Sequence, residues 1–512
     1  MMKRPMRAAE GKRLKDDYTG LETVIISEEA LRTMYAKCPD VIMTEAAIPS
    51  SLPDGSAAVV HLLFIYCEEL CDTQMLQKAI YPMFRALCEH HPCFSAADIE
   101  ARKPAALEYM GKEVRIDDLN FRLFSGDLLI YFHEADVLYT MPLASPPNRD
   151  PEEPNTEVSI RGPKDGFIEE ISKNVALIRK RLRSHRLVYE PFVIGTRSQT
   201  KVGLLYVDDI ANTAIIDEVR SRLLSLYIDS VTSTNQIEEW LSDTRFSLFP
   251  MFGYTGRPDF AVDSLLNGRF IILVDGAPTA LIGPGNLTFL LNTSEDNNTF
   301  FLFVVFQRLL RLAGTSVAIY LPGAWIALTS FHPDQLPFTL LATLILSRQG
   351  VPLPVPLEMF VMMILFEVFK EAGMRLPIAI GQTLSVVGGL IIGQAAINAG
   401  LAAPATLVIA AISVISTFTL VNQNMAGSVT LLRFIVLTVS TVLGLFGFIL
   451  SLFFILTYAV NLRTCGVPYL TPLAPPSKDI GKVFIPSTWK QFRTRDRIVR
   501  PNDLIAKERE QK

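Results

Sequence analysis

Leu384-Ser-Val-Val-Gly-Gly-Leu-Ile-Ile-Gly-Gln394 holds no charged residue. It sits inside one of several apolar runs that together fill residues 300–462. A run of about 18–20 apolar residues is long enough to cross a bilayer as a helix. Residues 1–298 are different in kind: charged, with short apolar stretches of strand and helix length. The chain therefore changes character once, near residue 300. This predicts a mixed α/β soluble half with two subdomains, followed by an all-α polytopic membrane domain of about five to six helices.

The chain has 512 residues, 49% hydrophobic and 20% charged, with a net charge of −4. Its mean hydropathy of +0.30 averages two unlike halves. The acidic balance excludes a chain that binds nucleic acid through a basic face. The basic N-terminus, Met1-Met-Lys-Arg-Pro-Met-Arg7, is followed by no apolar segment, so no secretory signal is expected and the soluble half is placed in the cytosol. After the last apolar run, residues 463–512 carry eleven Lys/Arg against five Asp/Glu. A basic segment flanking a span favours the cytoplasmic side. Both ends inside implies an even number of crossings.

Within the soluble half, helical patterns dominate residues 21–89, with a strand at 57–66. Residues 127–132 and 136–141 read as a strand hairpin. The Pro-rich run 143–156 marks a boundary between subdomains 1–150 and 151–298. The second holds helices at 165–183 and 213–224 and strands at 201–207 and 269–274. A membrane domain is expected over 299–462, with a basic cytoplasmic tail at 463–512. Its last apolar run, 434–460, is either one long span or a tight hairpin at Gly444 or Gly447.

Gly381, Ser385, Gly389 and Gly393 recur every four residues, so on a helix they share a face almost free of side chains. Such a face suits a close helix–helix seam or a narrow pore lining, and small-residue seams are the commoner use. Gln382 and Gln394 lie on the same helix, where polar groups face protein or water. Ionisable residues at this depth invite a functional reading. Glu358 stands alone beside a Pro-rich run. Glu367 with Lys370, and Glu371 with Arg375, have the spacing to pair. Arg308 and Arg311, near the start of the first span, are expected to snorkel to the interface. Arg161-Gly-Pro163 opens the second subdomain as a structural turn. Cys88, His90, His91 and Cys93 match no zinc spacing, and the six cysteines are expected to be reduced, mostly core thiols. No nucleotide loop, nucleophile elbow or metal helix is present, so no enzyme and no cofactor is expected.

Several segments together carry a resemblance. They are Ile160-Arg-Gly-Pro-Lys-Asp-Gly-Phe167 with Asn174 and Leu177-Ile-Arg179; Gly268-Arg-Phe-Ile-Ile-Leu-Val-Asp-Gly-Ala-Pro278; Ala327-Leu-Thr-Ser-Phe-His-Pro-Asp-Gln-Leu-Pro337; Phe366 to Pro377 with Val387 to Ala396; and Gly466 to Pro475. The chain resembles the A subunit of the GerA family of spore germinant receptors over residues 150–480. The resemblance implies a place in the spore inner membrane, beside a transporter-like B subunit that binds the nutrient and a lipoprotein C subunit. It implies A subunits that form a homo-oligomeric, nutrient-gated cation channel, with the small-residue helix at the pore. Arg161, Gly162, Pro163, Glu358, Glu367, Glu371 and Arg375 are the coupling candidates, though solvated charges at a cytosolic helix end explain Glu367 and Glu371 equally well. Asp296-Asn-Asn298 and Val421-Asn-Gln-Asn-Met425 depart from the family pattern, which leaves a SpoVAF-like paralogue open. A secondary transporter, or a scaffold that only couples partners, are the other readings. No repeat relates the halves of 300–462, which counts against the transporter.

Overall fold

The computed structural model describes residues 23–51, 57–90, 99–100, 104, 106–145, 162–244, 246–374, 393–420, 422–477, 479–481 and 495–503. The N-terminal half is mixed α/β and the C-terminal half is helical.

The first sheet is built on two long antiparallel strands, β1 (Val41–Ser51) and β2 (Ala57–Cys67), paired from Val41↔Cys67 to Ser51↔Ala57. With β3 (Glu108–Gly111), β4 (Leu128–Phe132) and β5 (Val137–Met141), the order is β1-β2-β4-β5-β3. Successive side chains of a strand point to opposite faces. Val60, Leu62 and Phe64 of β2 enter one apolar cluster, and Leu63, Ile65 and Cys67 enter another. Helix α1 (Glu28–Met34) covers the second face through Leu31. Helix α2 (Tyr81–His90) covers the first through Phe84. Burial on both faces is why this strand reads as a continuous apolar run.

Strand β1 corrects the expectation of helix through residues 21–89. Its Met, Glu and Ala favour helix locally, but eleven pairings to β2 override that preference. It lies at a sheet edge, where Pro49 costs no ladder bond on its free side.

The second sheet has five strands, antiparallel throughout. In chain order these are β6 (Leu187–Ile194), β7 (Thr200–Val207), β8 (Gly253–Thr255), β9 (Phe270–Val274) and β10 (Ala280–Gly283), and the spatial order is β8-β10-β9-β7-β6. One face packs under helix α3 (Ile171–Arg181) and helix α4 (Pro258–Leu266), through Ile171, Ile178, Ala261 and Leu265. The other packs under helix α5 (Thr213–Leu224) and helix α6 (Thr234–Leu241).

The helical half starts with α7 (Phe301–Ile326), continued by a wider turn at Ala327–Phe331. Helices α8 (Phe338–Ser347), α9 (Val355–Met374), α10 (Pro404–Thr417) and α11 (Gln423–Asn461) follow. Two described helices, Phe301–Phe331 and Gln423–Asn461, are long and apolar enough to cross a membrane. Phe338–Ser347 and Pro404–Thr417 are shorter apolar helices.

Helix α11 is a hairpin. A straight helix of its length would reach about 58 Å. Yet the Gln423 N–H donates to the Tyr254 hydroxyl at 3.1 Å, and the Leu248 N–H donates to the Tyr458 hydroxyl at 3.1 Å. Both ends therefore touch the second sheet's subdomain. The reversal is at Gly444, with φ 59° and ψ −138°. A Cβ at Gly447 would lie 2.4 Å from the Val439 carbonyl oxygen, so the returning arm passes hard against the outgoing one. The hairpin tip meets Phe331, the end of the first helix, which would lie 2.8 Å from a Cβ on Gly444.

Directions alternate along this half. Helix α7 runs outward from the sheets to Phe331. Helix α9 begins at the outer end, where Glu358 meets Ala403, and runs back to Lys370, 3.5 Å from Thr430. Residues 393–400 lie again at the outer end, with Gly400 against Gly350. Helix α10 returns inward, its Ser413 hydroxyl donating to the Ala318 carbonyl at 2.9 Å. The chain then re-enters the second subdomain. Tyr469 is fully buried, with its ring 5.5 Å from that of Phe249. The Asn286 amide donates to the Thr471 carbonyl at 2.7 Å, and the Asn502 N–H to the Ile210 carbonyl at 2.9 Å. The described parts of 463–503 thus belong to this subdomain's packing rather than to a separate tail.

Candidate functional site

Where the soluble half hands over to α7, charge is concentrated and water is excluded. Asp296 is buried and accepts from four donors: Thr293 Oγ1 at 2.8 Å, Arg308 Nε at 3.2 Å, and Arg311 Nη2 and Nη1 at 2.8 and 3.1 Å. This corrects the expectation that Arg308 and Arg311 snorkel. Both instead reach back past the first turns of the helix and clamp the segment before it. A buried carboxylate is tolerated only when its lone pairs are filled this way. Beside it, the fully buried Arg257 bridges Asp259 (Nη2 to Oδ2, 2.7 Å) and Glu295 (Nη1 to Oε1, 2.6 Å). Burial works against the Arg257 charge, but these two carboxylates outweigh it and raise its pKa.

Gly162 lands on this cluster. Its φ is +137°, and a Cβ would fall 2.8 Å from Asn298 Nδ2 and 3.0 Å from Arg257 Nη2. The structural turn expected at this motif is therefore also a close contact with the junction, and any side chain there is strained. Pro163 is exposed. Arg161 lies outside the described residues.

At the outer end of the helical half, Glu358 is 0% exposed. One carboxylate oxygen accepts from the Ala403 N–H, which caps α10 across from α9. The other stands 3.7 Å from Arg348 Nη1 and has no hydrogen-bond partner. Glu367 and Lys370 pair at 2.6 Å, as their spacing predicts. Glu371 is exposed, and Arg375 lies outside the described residues. So do Gly381, Gln382, Ser385 and Gly389 of the small-residue face. Gly393 is buried, with Leu407 of α10 at 3.3 Å from its would-be Cβ, and Gln394 is exposed.

The two soluble subdomains meet at a fully buried arginine. Arg179 of α3 reaches Asp40 of the first subdomain through two bonds, Nε to Oδ2 at 2.6 Å and Nη2 to Oδ1 at 2.8 Å, over the Phe124 ring. Burial pushes the neighbouring Cys38 and Cys67 thiols up, which leaves them unreactive. Cys38, Cys67, Cys71 and Cys465 are all free and buried. No cluster of three or more potential metal ligands occurs among the described residues. His91 and Cys93 lie outside them.

Residues 29–498 match the family described as Bacillus/Clostridium GerA spore germination protein. The chain belongs to the GerA family. Among its GerA relatives, spore germination protein XA of Bacillus anthracis is 46% identical over 485 residues, covering 94% of this chain and 96% of that one. Spore germination protein KA of Bacillus subtilis is 32% identical, covering 96% and 90%. The crystal structure of the N-terminal domain of the A subunit of the Bacillus megaterium spore germinant receptor GerK3 aligns over 50% of this chain and 92% of its own, at 24% identity and a TM-score of 0.36.

Asp40 and Arg257 were not singled out by sequence reasoning on this GerA chain, and Asp296 stood in the quoted Asp296-Asn-Asn298 without a role of its own. Arg179 stood inside the quoted Leu177-Ile-Arg179 but without a role. An arginine amid an apolar helix face was the available signal. Its partner lies 139 positions away, beyond any local pattern.

Proposed function

We propose that this chain is the A subunit of a nutrient germinant receptor in the spore inner membrane. Its helical half crosses the bilayer six times, with the soluble half and the C-terminal segment on the cytoplasmic side. Copies of the chain assemble so that the helix around 378–399 lines a cation path. A transporter-like B subunit and a lipoprotein C subunit complete the receptor, and nutrient binding there opens the path and triggers germination. The function is conduction, not catalysis.

One observation carries this reading. Both ends of the helical half, Phe300 and Leu462, adjoin the second soluble subdomain, and the helices between them alternate in direction. An even number of crossings follows once that half lies in a membrane. Long outward apolar surfaces support the placement: Phe303, Phe306, Leu309 and Leu310 on α7, and Phe446, Phe453 and Phe454 on α11, are all exposed. At the one end of the small-residue helix that is described, Gly393 is packed against α10 while Gln394 and Asn398 are exposed and joined at 3.4 Å. A polar edge free for neighbouring copies is what a shared path requires.

The test is potassium release from spores carrying Gly389→Leu, with and without nutrient. A bulky side chain should block release or cause leak without nutrient while protein level stays normal. Unchanged release at normal protein level would make the helix a packing seam and end the pore assignment.

A further inference from the structure

The outward apolar surface of α11 runs down to its inner end. Phe453, Leu456 and Val460 are exposed, and their spacing puts them on one face. No charged residue stands between Arg433 and Arg463. Arg463 is exposed, so the apolar band closes between Val460 and Arg463. Val460 lies only about 3 Å further along the axis than Tyr458. Tyr458 is therefore at the inner edge of that band.

The second subdomain meets the helix at this level. The Leu248 N–H donates to the Tyr458 hydroxyl at 3.1 Å, and the Phe249 ring stacks on the Tyr458 ring at 6.2 Å. Phe246 comes two residues before Leu248, at most about 7 Å of chain. It is 88% exposed. Trp240, in the last turn of α6, is 54% exposed. Arg222 of α5 holds that end of α6, donating to Asp243 Oδ1 at 2.5 Å and to the Leu241 carbonyl. Asp243 in turn lies near Cys465, three residues past the Leu462 cap of α11: burial pushes that thiol up to about 12, and the Asp243 charge pushes the same way. Both aromatic residues thus stand bare beside the inner end of α11. Their charged neighbours are the exposed Glu239 and Asp243, the latter answered by Arg222. The patch therefore offers apolar rings and an indole N–H rather than a charged face. Trp is the residue that favours the boundary between hydrocarbon and water.

We propose that Trp240 and Phe246 dip into the headgroup layer of the cytoplasmic leaflet and fasten the second subdomain to the membrane surface. The occupant is the lipid interface because the patch continues the outward apolar surface of α11 at the level where that surface ends. The proposal rests on the membrane placement of the helical half.

The experiment uses the full chain with Trp325→Phe and Trp489→Phe, so that Trp240 alone reports. A second variant adds Trp240→Phe and Phe246→Trp, which moves the reporter to the other residue. Each is placed in phosphatidylcholine nanodiscs, where both faces are open to solvent. Fluorescence is quenched by nitroxide carried on the lipid headgroup or near the acyl-chain end, and by iodide in the water. Headgroup nitroxide should quench either reporter at least about threefold more than chain-end nitroxide, as for an aromatic side chain at the interface. Iodide should quench them about fivefold less than a lone Tyr109→Trp reporter on the exposed edge strand β3 of the first sheet, because inserted rings are withdrawn from water. Phe246→Asp should at least halve the headgroup quenching of Trp240. Strong iodide quenching without nitroxide quenching overturns the proposal, since the patch is then open to water. Protection from both quenchers means that a second copy of the chain covers the patch, and overturns it too. So does headgroup quenching that Phe246→Asp leaves unchanged. A lone Phe453→Trp reporter on α11 separates these failures from a failure of the membrane reading. If chain-end nitroxide quenches it, they concern the anchor alone; if not, the membrane reading itself falls.

Discussion

Asp296 is the most exacting point of the junction. Asp296→Asn keeps the shape and one oxygen acceptor, but it removes the carboxylate charge that faces Arg308 and Arg311. The side chains of Asp296 and Arg311 are 3% and 9% exposed, so solvent does not take over the lost role. Removing one partner of a buried pair costs about 3–5 kcal/mol. The amide oxygen still accepts from Thr293 or one guanidinium, which puts the cost near the lower end, about 3 kcal/mol. A chain of several folded parts does not melt as one unit, so a global midpoint is the wrong readout. Amide hydrogen exchange in the first turns of α7 reads the local opening instead. A cost of about 3 kcal/mol corresponds to exchange about a hundredfold faster at residues 303–311, with the first sheet unaffected. Arg311→Gln should give a similar loss, and the double variant less than the sum. Exchange unchanged within about twofold, or full additivity, would refute the argument that this cluster fastens the helix.

Glu238 offers a pH test. Burial raises its pKa from an ordinary 4.5 to about 7, with an N–H from Phe252 pulling the other way. The folded state keeps a proton that the unfolded chain gives up, so this group's contribution falls as pH rises from about 4.5 to 7 and stays lost above that. Glu238→Gln should raise the melting temperature of the second subdomain at pH 8 and leave it unchanged at pH 5, by up to about 3 kcal/mol. Equal shifts at both pH values would sink the assignment. In the hairpin, Gly447→Leu forces a side chain into the Val439 carbonyl, whereas Gly427 has nothing within 4 Å of its would-be Cβ. The first variant should lose about 3 kcal/mol or more and vanish from membranes, while Gly427→Leu accumulates normally. Equal levels on immunoblots of the two would mean that α11 does not fold back as described.

The hairpin of β4 and β5 was legible because apolar runs of strand length are bounded by Asp127 and Asp136. The α5 helix was legible from end to end, with Asn212 capping it. Two of the edge strands, β1 and β6, were not. In β1, Met43, Glu45 and Ala46 vote for helix, and in β6, Glu190 and Pro191 interrupt the pattern. Only their partners make them strands. Arg308 and Arg311 were misjudged because spans usually meet lipid, and the acid that holds them lies in the loop before the helix. The choice between one long span and a hairpin at Gly444 depended on where Tyr458 and Gln423 touch the sheets, which no window of sequence contains. Glu358 could be picked out by its isolation, but its neighbours Ala403 and Arg348 could not.

The helical half stands on two feet, Phe300 and Leu462, planted in one subdomain. A bundle mounted at one point can swivel about it and dissipate a push. Mounted at two, it transmits torque: if the sheets rotate, the first and last helices must be carried together, and the outer ends, farthest from the sheets, sweep the longest arc. The soluble half is then a handle, and Arg179 sets how stiffly its two parts turn as one.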